Sequence, residues 1–281
     1  ARALAMARGP QARRLKGPLK ERDLRRTWAI ILGVSSGFGA ASARELAAHG
    51  YGIFGIHMDR RSGLDRVEAL KSELEQHGVP VVFRNENAAS DETRAQALDD
   101  LGAQLGPDDQ VGVLLHSLAF GTLKQMVGPE AIRRRQLEMT VDVMAHSLIY
   151  WTRDLVTAGH LGRGARIFAM TSAGSSMAWP HYGPVSAAKA ALEAHIRQLA
   201  VELAPSGITA NAILAGVTQT PALNKIPGAD TLARQALERN PHGRLTTPED
   251  VAQCLVALCH PGTAWMTGNV LHVDGGENIT G

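Results

Sequence analysis

Short apolar runs alternate along most of the chain with longer segments whose apolar positions recur every three or four residues. Runs rich in aliphatic and β-branched side chains predict strands buried on both faces, and the longer periodicity predicts helices. Strands that alternate with helices build a parallel sheet covered on both sides. We therefore expect an α/β fold, a doubly wound parallel seven-stranded sheet of the Rossmann type. The predicted strands are Trp28–Leu32, Gly52–Ile56, Pro80–Phe83, Val111–Leu115, Arg166–Met170, Ile208–Ile213 and Val270–Val273.

Helices are predicted between these strands, and right-handed crossovers place them on both faces of the sheet. No internal repeat or low-complexity linker interrupts the alternation, so we expect one domain over residues 27–281. The predicted helices are Ala40–His49, Leu64–His77, Asp91–Leu105, a long one from about Glu130 to Ala158, Tyr182–Ala204 and Pro248–His260.

Charge divides the chain into two parts. Residues 1–26 hold nine basic and two acidic residues, a net charge of +7, which leaves 20 basic and 25 acidic residues, or −5, for the rest. Because Gly and Pro interrupt this basic segment, we expect a flexible leader outside the domain. An Arg-rich segment with few acids is also typical of a transit peptide or of a contact with an anionic surface.

Hydropathy and cysteine content restrict the class of protein further. No run approaches the ~20 apolar residues needed to cross a bilayer, and we expect neither a membrane nor a nucleic acid as partner. Cys254 and Cys259 stand on a predicted helix, roughly 140° apart around its axis, and cannot pair with each other there. Without a disulfide framework or metal-ligand spacing, the chain fits a reducing cytoplasm, the expected location.

A glycine-rich turn follows the first predicted strand and precedes a helix. Glycines there let the backbone approach a pyrophosphate, which binds at the N–H groups of the helix N-terminus. In a βαβ chain this placement predicts a nicotinamide dinucleotide site. The GxxxGxG spacing resembles the short-chain dehydrogenase/reductase superfamily. The resemblance implies cofactor contacts from Gly33, Ser35, Ser36, Gly37, Phe38 and Gly39.

In that superfamily the end of the second strand selects the cofactor. An acid there binds the ribose diol of NADH, whereas basic residues accept the extra phosphate of NADPH. Here Asp59 is followed by Arg60 and Arg61, and two guanidinium groups can bind a phosphate through paired hydrogen bonds. We expect NADPH. Asp59 could bind the ribose diol of NADH, so NADH is the other candidate cofactor. The alternative for Arg60 and Arg61 is an exposed pair that contacts only solvent.

The predicted fifth strand and sixth helix carry the candidate chemistry. Ser172 follows the strand, and Tyr182 precedes Lys189 by seven residues, whereas most members of the superfamily have Tyr four residues before Lys, at the position of Val185. Seven residues make nearly two helical turns, roughly 10 Å along the axis, so both side chains share a face. This separation resembles the enoyl-acyl-carrier-protein reductases, which reduce a carbon–carbon double bond.

That resemblance implies a role for each residue. Lys189 would hold the nicotinamide ribose and supply positive charge, Tyr182 would donate a hydrogen bond to the developing enolate oxygen, and Ser172 stands at the superfamily's serine position. A packing role for Tyr182 and a solvated Lys189 are the alternatives. The segment His116–Phe120 also resembles the double-bond reductases, and Met144 replaces a helix Asn that ketoreductases use.

The resemblance covers residues 28–277 and completes the expected site. It adds cofactor contacts at Asn87, Ser117, Gly216, Thr218 and Thr220, and it makes Pro221–Gly228 part of a helical lid over the acyl chain, with an ordinary surface helix pair as the alternative.

The expected activity is NAD(P)H-dependent reduction of trans-2-enoyl thioesters in fatty acid synthesis. The thioester would be carried by acyl carrier protein or coenzyme A, and family analogy favours a homotetramer. A ketone, aldehyde or 3-ketoacyl reductase of the same superfamily is one alternative. A non-catalytic dinucleotide-binding scaffold is another, although a scaffold would need neither Tyr182 nor Lys189.

Overall fold

The computed structural model describes residues 27–280, so the predicted basic leader lies outside the described residues. Within them, seven parallel strands form one sheet in the order β3-β2-β1-β4-β5-β6-β7, which confirms the predicted fold. The strands are β1 Thr27–Leu32, β2 Gly52–His57, β3 Val81–Asn85, β4 Gln110–His116, β5 Leu161–Thr171, β6 Thr209–Ala215 and β7 Val270–Val273.

Helices cover both faces of this sheet. None of the helices in the described part of the chain is long and apolar enough to cross a membrane. They are α1 Gly37–Ala48, α2 Leu64–Glu75, α3 Asp91–Gln104, α4 Arg134–Val141, α5 Ser147–Thr157, α6 Gly183–Glu202, α7 Ala229–Arg239 and α8 Pro248–Leu258.

The observed elements differ most from the predicted ones in two segments. The long helix expected from Glu130 begins at Arg134, because the chain after Gly128 folds back and the Ile132 N–H donates to the Gln125 carbonyl. A π-helical turn, Asp142–His146, then separates α4 from α5. Strand β5 is longer than predicted, since Leu161 already pairs with β4.

Alternate residues of each central strand pack against opposite helical layers. In β1, Ile30 and Leu32 join a core with α5 and α6, whereas Ala29 and Ile31 join a second core with α1 and α8. The strand order reverses between β1 and β4, and in open parallel sheets ligands bind beyond the carboxyl ends of the strands at such a point. The fold therefore places the glycine turn, the end of β4 and the end of β5 around one crevice.

Candidate active site

The glycine turn lies where the sheet reverses its order. The N–H of Gly33 donates to the Ile56 carbonyl at the end of β2, and the chain then enters α1. A Cβ at Gly33 would lie 2.5 Å from the Ser117 carbonyl oxygen, and one at Gly39 would overlap the Gly33 carbonyl oxygen. The turn is thus packed too closely for any side chain at these two positions, as a backbone cradle for a ligand requires.

The N-terminus of α1 has no side-chain cap. Ser36 precedes the helix in extended conformation without such a bond, whereas Ser90 caps α3 and Thr247 caps α8. The first turn of α1 also lacks an acidic residue. Its N–H groups and the positive end of the helix dipole therefore suit a bound anion, and the predicted residues Ser35, Ser36, Gly37 and Phe38 fit a pyrophosphate.

Asp59 is held in place at the end of β2. Its Oδ2 lies 3.1 Å from Nδ1 of buried His57, and its Oδ1 accepts a hydrogen bond of 3.2 Å from Arg66. Both carboxylate oxygens are therefore engaged. The following residues, Arg60 and Arg61, are exposed.

The remaining predicted cofactor contacts follow β3, β4 and β6. The Ser117 N–H donates to the Leu32 carbonyl, which places Ser117 beside the glycine turn. A Cβ at Gly37 would lie 3.3 Å from the Thr220 side chain, so the loop after β6 also reaches the turn. In that loop buried Thr218 donates to the Gly216 carbonyl. Asn87 is exposed after β3, and its side-chain oxygen accepts a hydrogen bond from Ala89.

Tyr182 stands immediately before α6. Its hydroxyl lies 3.4 Å from the Ser172 hydroxyl, and its ring packs so closely on Gly174 that a Cβ there would overlap it. Burial raises the pKa of the Tyr182 phenol, while the hydrogen bond with Ser172 opposes the shift. The phenol therefore stays protonated near neutral pH and can donate a hydrogen bond into the cavity.

Lys189 is buried two turns along the same helix. Its Nζ donates to the Met170 carbonyl at 2.7 Å, and the Leu118 carbonyl lies 3.5 Å away. Burial lowers the pKa of Lys189 to about 8, and Glu193, one turn further on, opposes the shift. Since the lysine side chain is 5% exposed, it is not the solvated charge considered as an alternative.

A cavity of about 270 Å³ opens in front of Tyr182 and Ser172. Its walls are largely apolar, and Thr218 and Thr220 border the same space. The segment Pro221–Gly228 forms part of its wall, and Leu223, in the short helical turn Leu223–Lys225, is buried there. The described residues include no group of three side chains able to ligate a metal. The cavity can therefore accommodate an apolar chain with one polar end at Tyr182.

Some residues that border the cavity were not predicted from the sequence. Helix α7 was not among the predicted helices, because its buried positions, Ala233 and Ala236, carry only small side chains. Trp179, whose indole N–H donates to the Pro227 carbonyl, and Glu277, after the last strand, also border the cavity. No local pattern distinguishes either residue, since both reach the cavity through contacts with distant segments.

Comparisons with known proteins agree with this geometry. A family model described as enoyl-(acyl carrier protein) reductase matches residues 33–278. The Neisseria meningitidis enoyl-[acyl-carrier-protein] reductase [NADH] FabI is 31% identical over 217 residues, 76% of this chain and 80% of that protein. The Aquifex aeolicus FabI is 35% identical over 170 residues, 60% of this chain and 63% of that protein. The crystal structure of the Aquifex aeolicus enzyme superposes with a TM-score of 0.80 at 28% identity, covering 92% of this chain and 98% of that one.

Proposed function

The chain belongs to the enoyl-(acyl carrier protein) reductase family, and from this membership we propose that it reduces the carbon–carbon double bond of trans-2-enoyl thioesters in fatty acid synthesis. It is an oxidoreductase that uses a nicotinamide dinucleotide. When bound in reduced form, that cofactor supplies the hydride that adds to the β-carbon. The experiment that tests the proposal offers enoyl and 3-ketoacyl thioesters in parallel.

One observation carries the proposed chemistry, namely that Tyr182, which borders the cavity, immediately precedes α6, and that Lys189 is buried seven residues further along the same helix. As hydride adds to the β-carbon, the electron pair of the carbon–carbon double bond shifts to join the α-carbon to the carbonyl carbon, and the carbonyl π pair moves to the thioester oxygen as an enolate. Tyr182 would donate a hydrogen bond to that oxygen, and a proton from water then adds to the α-carbon as the enolate returns to the thioester. Lys189 would hold the nicotinamide ribose and place a positive charge near the developing negative charge.

The cavity wall favours double-bond reduction over ketone reduction. Val185 occupies the position four residues before Lys189, is buried, and lines the cavity. A ketoreductase would need an acid at that point to meet a carbonyl oxygen, and a valine side chain has no proton to donate. Tyr182, one turn earlier, can instead reach the oxygen of a thioester whose double bond lies closer to the nicotinamide.

We propose NADPH as the preferred form of the cofactor. Arg60 and Arg61 are exposed at the end of β2, where the second phosphate of NADPH would lie. Asp59, the residue that would bind a ribose diol, already has both oxygens engaged by His57 and Arg66. The names of both curated relatives specify NADH, so under this proposal the chain differs from them in cofactor preference.

Replacing Arg60 and Arg61 together by Ala should raise the KM for NADPH by roughly ten- to a hundredfold, the effect of losing charged hydrogen bonds to a phosphate. The KM for NADH should stay within about twofold, because NADH has no phosphate there. Steady-state kinetics with both cofactors measure the effect. Arg135→Ala, at another exposed arginine, is the matched control. An unchanged preference would place phosphate recognition elsewhere.

We also propose a carrier for the acyl substrate, an oligomeric state and a cellular location for the protein. An enoyl thioester on acyl carrier protein would enter beside the lid, and coenzyme A could carry the same acyl group. By family analogy we propose a homotetramer. Cys254 and Cys259 are both free thiols, which supports a location in the reducing cytoplasm.

A further inference from the structure

Glu277 is a carboxylate buried beside the cavity, close to the end of the chain. It begins the single helical turn Glu277–Ile279 after β7 and is 3% exposed. Acidic side chains are almost never buried to this degree without a partner. Its Oε2 accepts a hydrogen bond of 3.0 Å from the Val217 N–H, and Arg239 Nη2 lies 3.9 Å from Oε1. The carboxylate thus faces a loop 60 residues earlier in the chain.

The packing around Gly216 makes this contact specific. A Cβ at Gly216 would lie 2.7 Å from Glu277 Oε2 and would overlap the Thr246 hydroxyl. The carboxylate therefore packs directly on the backbone of the loop. Within the same loop, the Thr218 hydroxyl donates to the Gly216 carbonyl at 2.9 Å. Between them, these two side chains hold the backbone from Gly216 to Thr218.

The turn that carries Glu277 is itself firmly attached. Asp274 accepts hydrogen bonds from the N–H groups of Gly276 and Asn278, and Asn240, after α7, donates to the Asp274 carbonyl. The Thr280 hydroxyl donates to the Arg239 carbonyl at the end of α7. Glu277 therefore acts from a fixed support against a loop that has no helix or strand of its own.

The loop held in this way joins the two halves of the site. Val217, Thr218 and Thr220 line the cavity that Tyr182 borders, and Thr220 also lies beside Gly37 of the glycine turn. A shift of this loop would move Thr218 and Thr220 relative to both the dinucleotide and Tyr182.

We propose that Glu277 is a positioning residue for dinucleotide binding, whose carboxylate fixes the loop Gly216–Thr220 through the Val217 N–H. The inference rests on the proposed function, because it takes that loop as part of the dinucleotide site. It requires an acceptor oxygen at the distance that Glu277 provides, because the hydrogen bond from the Val217 N–H ends on that oxygen.

Three substitutions at Glu277 distinguish the position of the acceptor oxygen from the negative charge of the side chain. Glu277→Gln keeps an acceptor oxygen at the same distance without the charge, Glu277→Asp keeps the charge but is one methylene too short, and Glu277→Leu removes both. NADPH is titrated into each protein without acyl substrate, and its fluorescence gives the Kd. We expect the Asp and Leu variants to raise the Kd about tenfold or more, and the Gln variant to stay within about threefold of the unsubstituted protein.

Two controls distinguish an effect on NADPH binding from an effect on folding. Glu238→Leu, at an exposed acid on α7, should leave the Kd unchanged, and urea unfolding of each protein reports folding separately. If the Leu variant does not fold, the comparison of Asp with Gln still decides. Equal Kd values for all variants, or a Gln variant as weak as Leu, would overturn the assignment. Loss of the proposed function would look different, because the unsubstituted protein itself would then fail to bind NADPH and NADH or to reduce an enoyl thioester.

Discussion

Tyr182→Phe should lower kcat/KM for enoyl thioester reduction by roughly 10²- to 10³-fold, the usual effect of removing one hydrogen-bond donor from a developing oxyanion. The ring that packs on Gly174 remains, so the fold should be kept. The Kd for NADPH should hardly change, because the hydroxyl contacts Ser172 and the cavity. Steady-state kinetics and NADPH titration measure the two effects.

Tyr150→Phe is the matched control for this prediction. The Tyr150 hydroxyl donates to Asp142 on the preceding helical segment, and Tyr150 does not border the cavity. Its loss should leave kcat/KM unchanged. Full activity in Tyr182→Phe would show that the Tyr182 hydroxyl takes no part in the reaction and would support a packing role for its ring.

Lys189→Met should impair both dinucleotide binding and the reduction step. The NADPH Kd should rise roughly ten- to a hundredfold, since a charged hydrogen-bond donor is lost, and kcat should fall because positive charge near the reacting oxygen is removed. Lys71→Met, at a lysine paired with Glu75 on the surface of α2, should change neither quantity. Loss of kcat with an unchanged Kd would contradict a contact between Lys189 and the cofactor.

The stability of Lys189→Met provides a second readout. Burial lowers the pKa of Lys189 from 10.5 to about 8, so the charged side chain destabilises the folded protein below pH 8 relative to its neutral form. Between pH 8 and 10.5 the unfolded wild-type chain binds more protons than the folded one, so wild-type stability should rise with pH relative to the Met variant. Urea unfolding of both proteins at pH 7 and pH 10 without cofactor tests this. An equal difference in the free energy of unfolding at the two pH values would contradict the lowered pKa.

The sheet could be predicted because its signals are local. β1, β4 and β6 are nearly continuous aliphatic runs, and the turn at Gly33 lies between the first strand and helix, where backbone geometry demands glycine. The spacing of Tyr182 and Lys189 is likewise local, since one helix carries both. These features needed no knowledge of how distant segments meet.

Other features depend on contacts between distant parts of the chain. The π-helical turn at Asp142–His146 lies within a segment whose helical periodicity runs on without a break, so no sequence signal marked it. The burial of Glu277 depends on Val217, 60 positions away. An acidic side chain ordinarily predicts a solvated surface, and only the assembled fold reverses that expectation.

The most direct test of the account follows NADPH oxidation by the purified protein with a trans-2-enoyl thioester and the matching 3-ketoacyl thioester. We expect turnover of the enoyl substrate alone, with loss of the conjugated double bond in the product. Turnover of the ketoacyl substrate alone would contradict double-bond reduction. Ser172 and Tyr182 would then catalyse carbonyl reduction in spite of Val185.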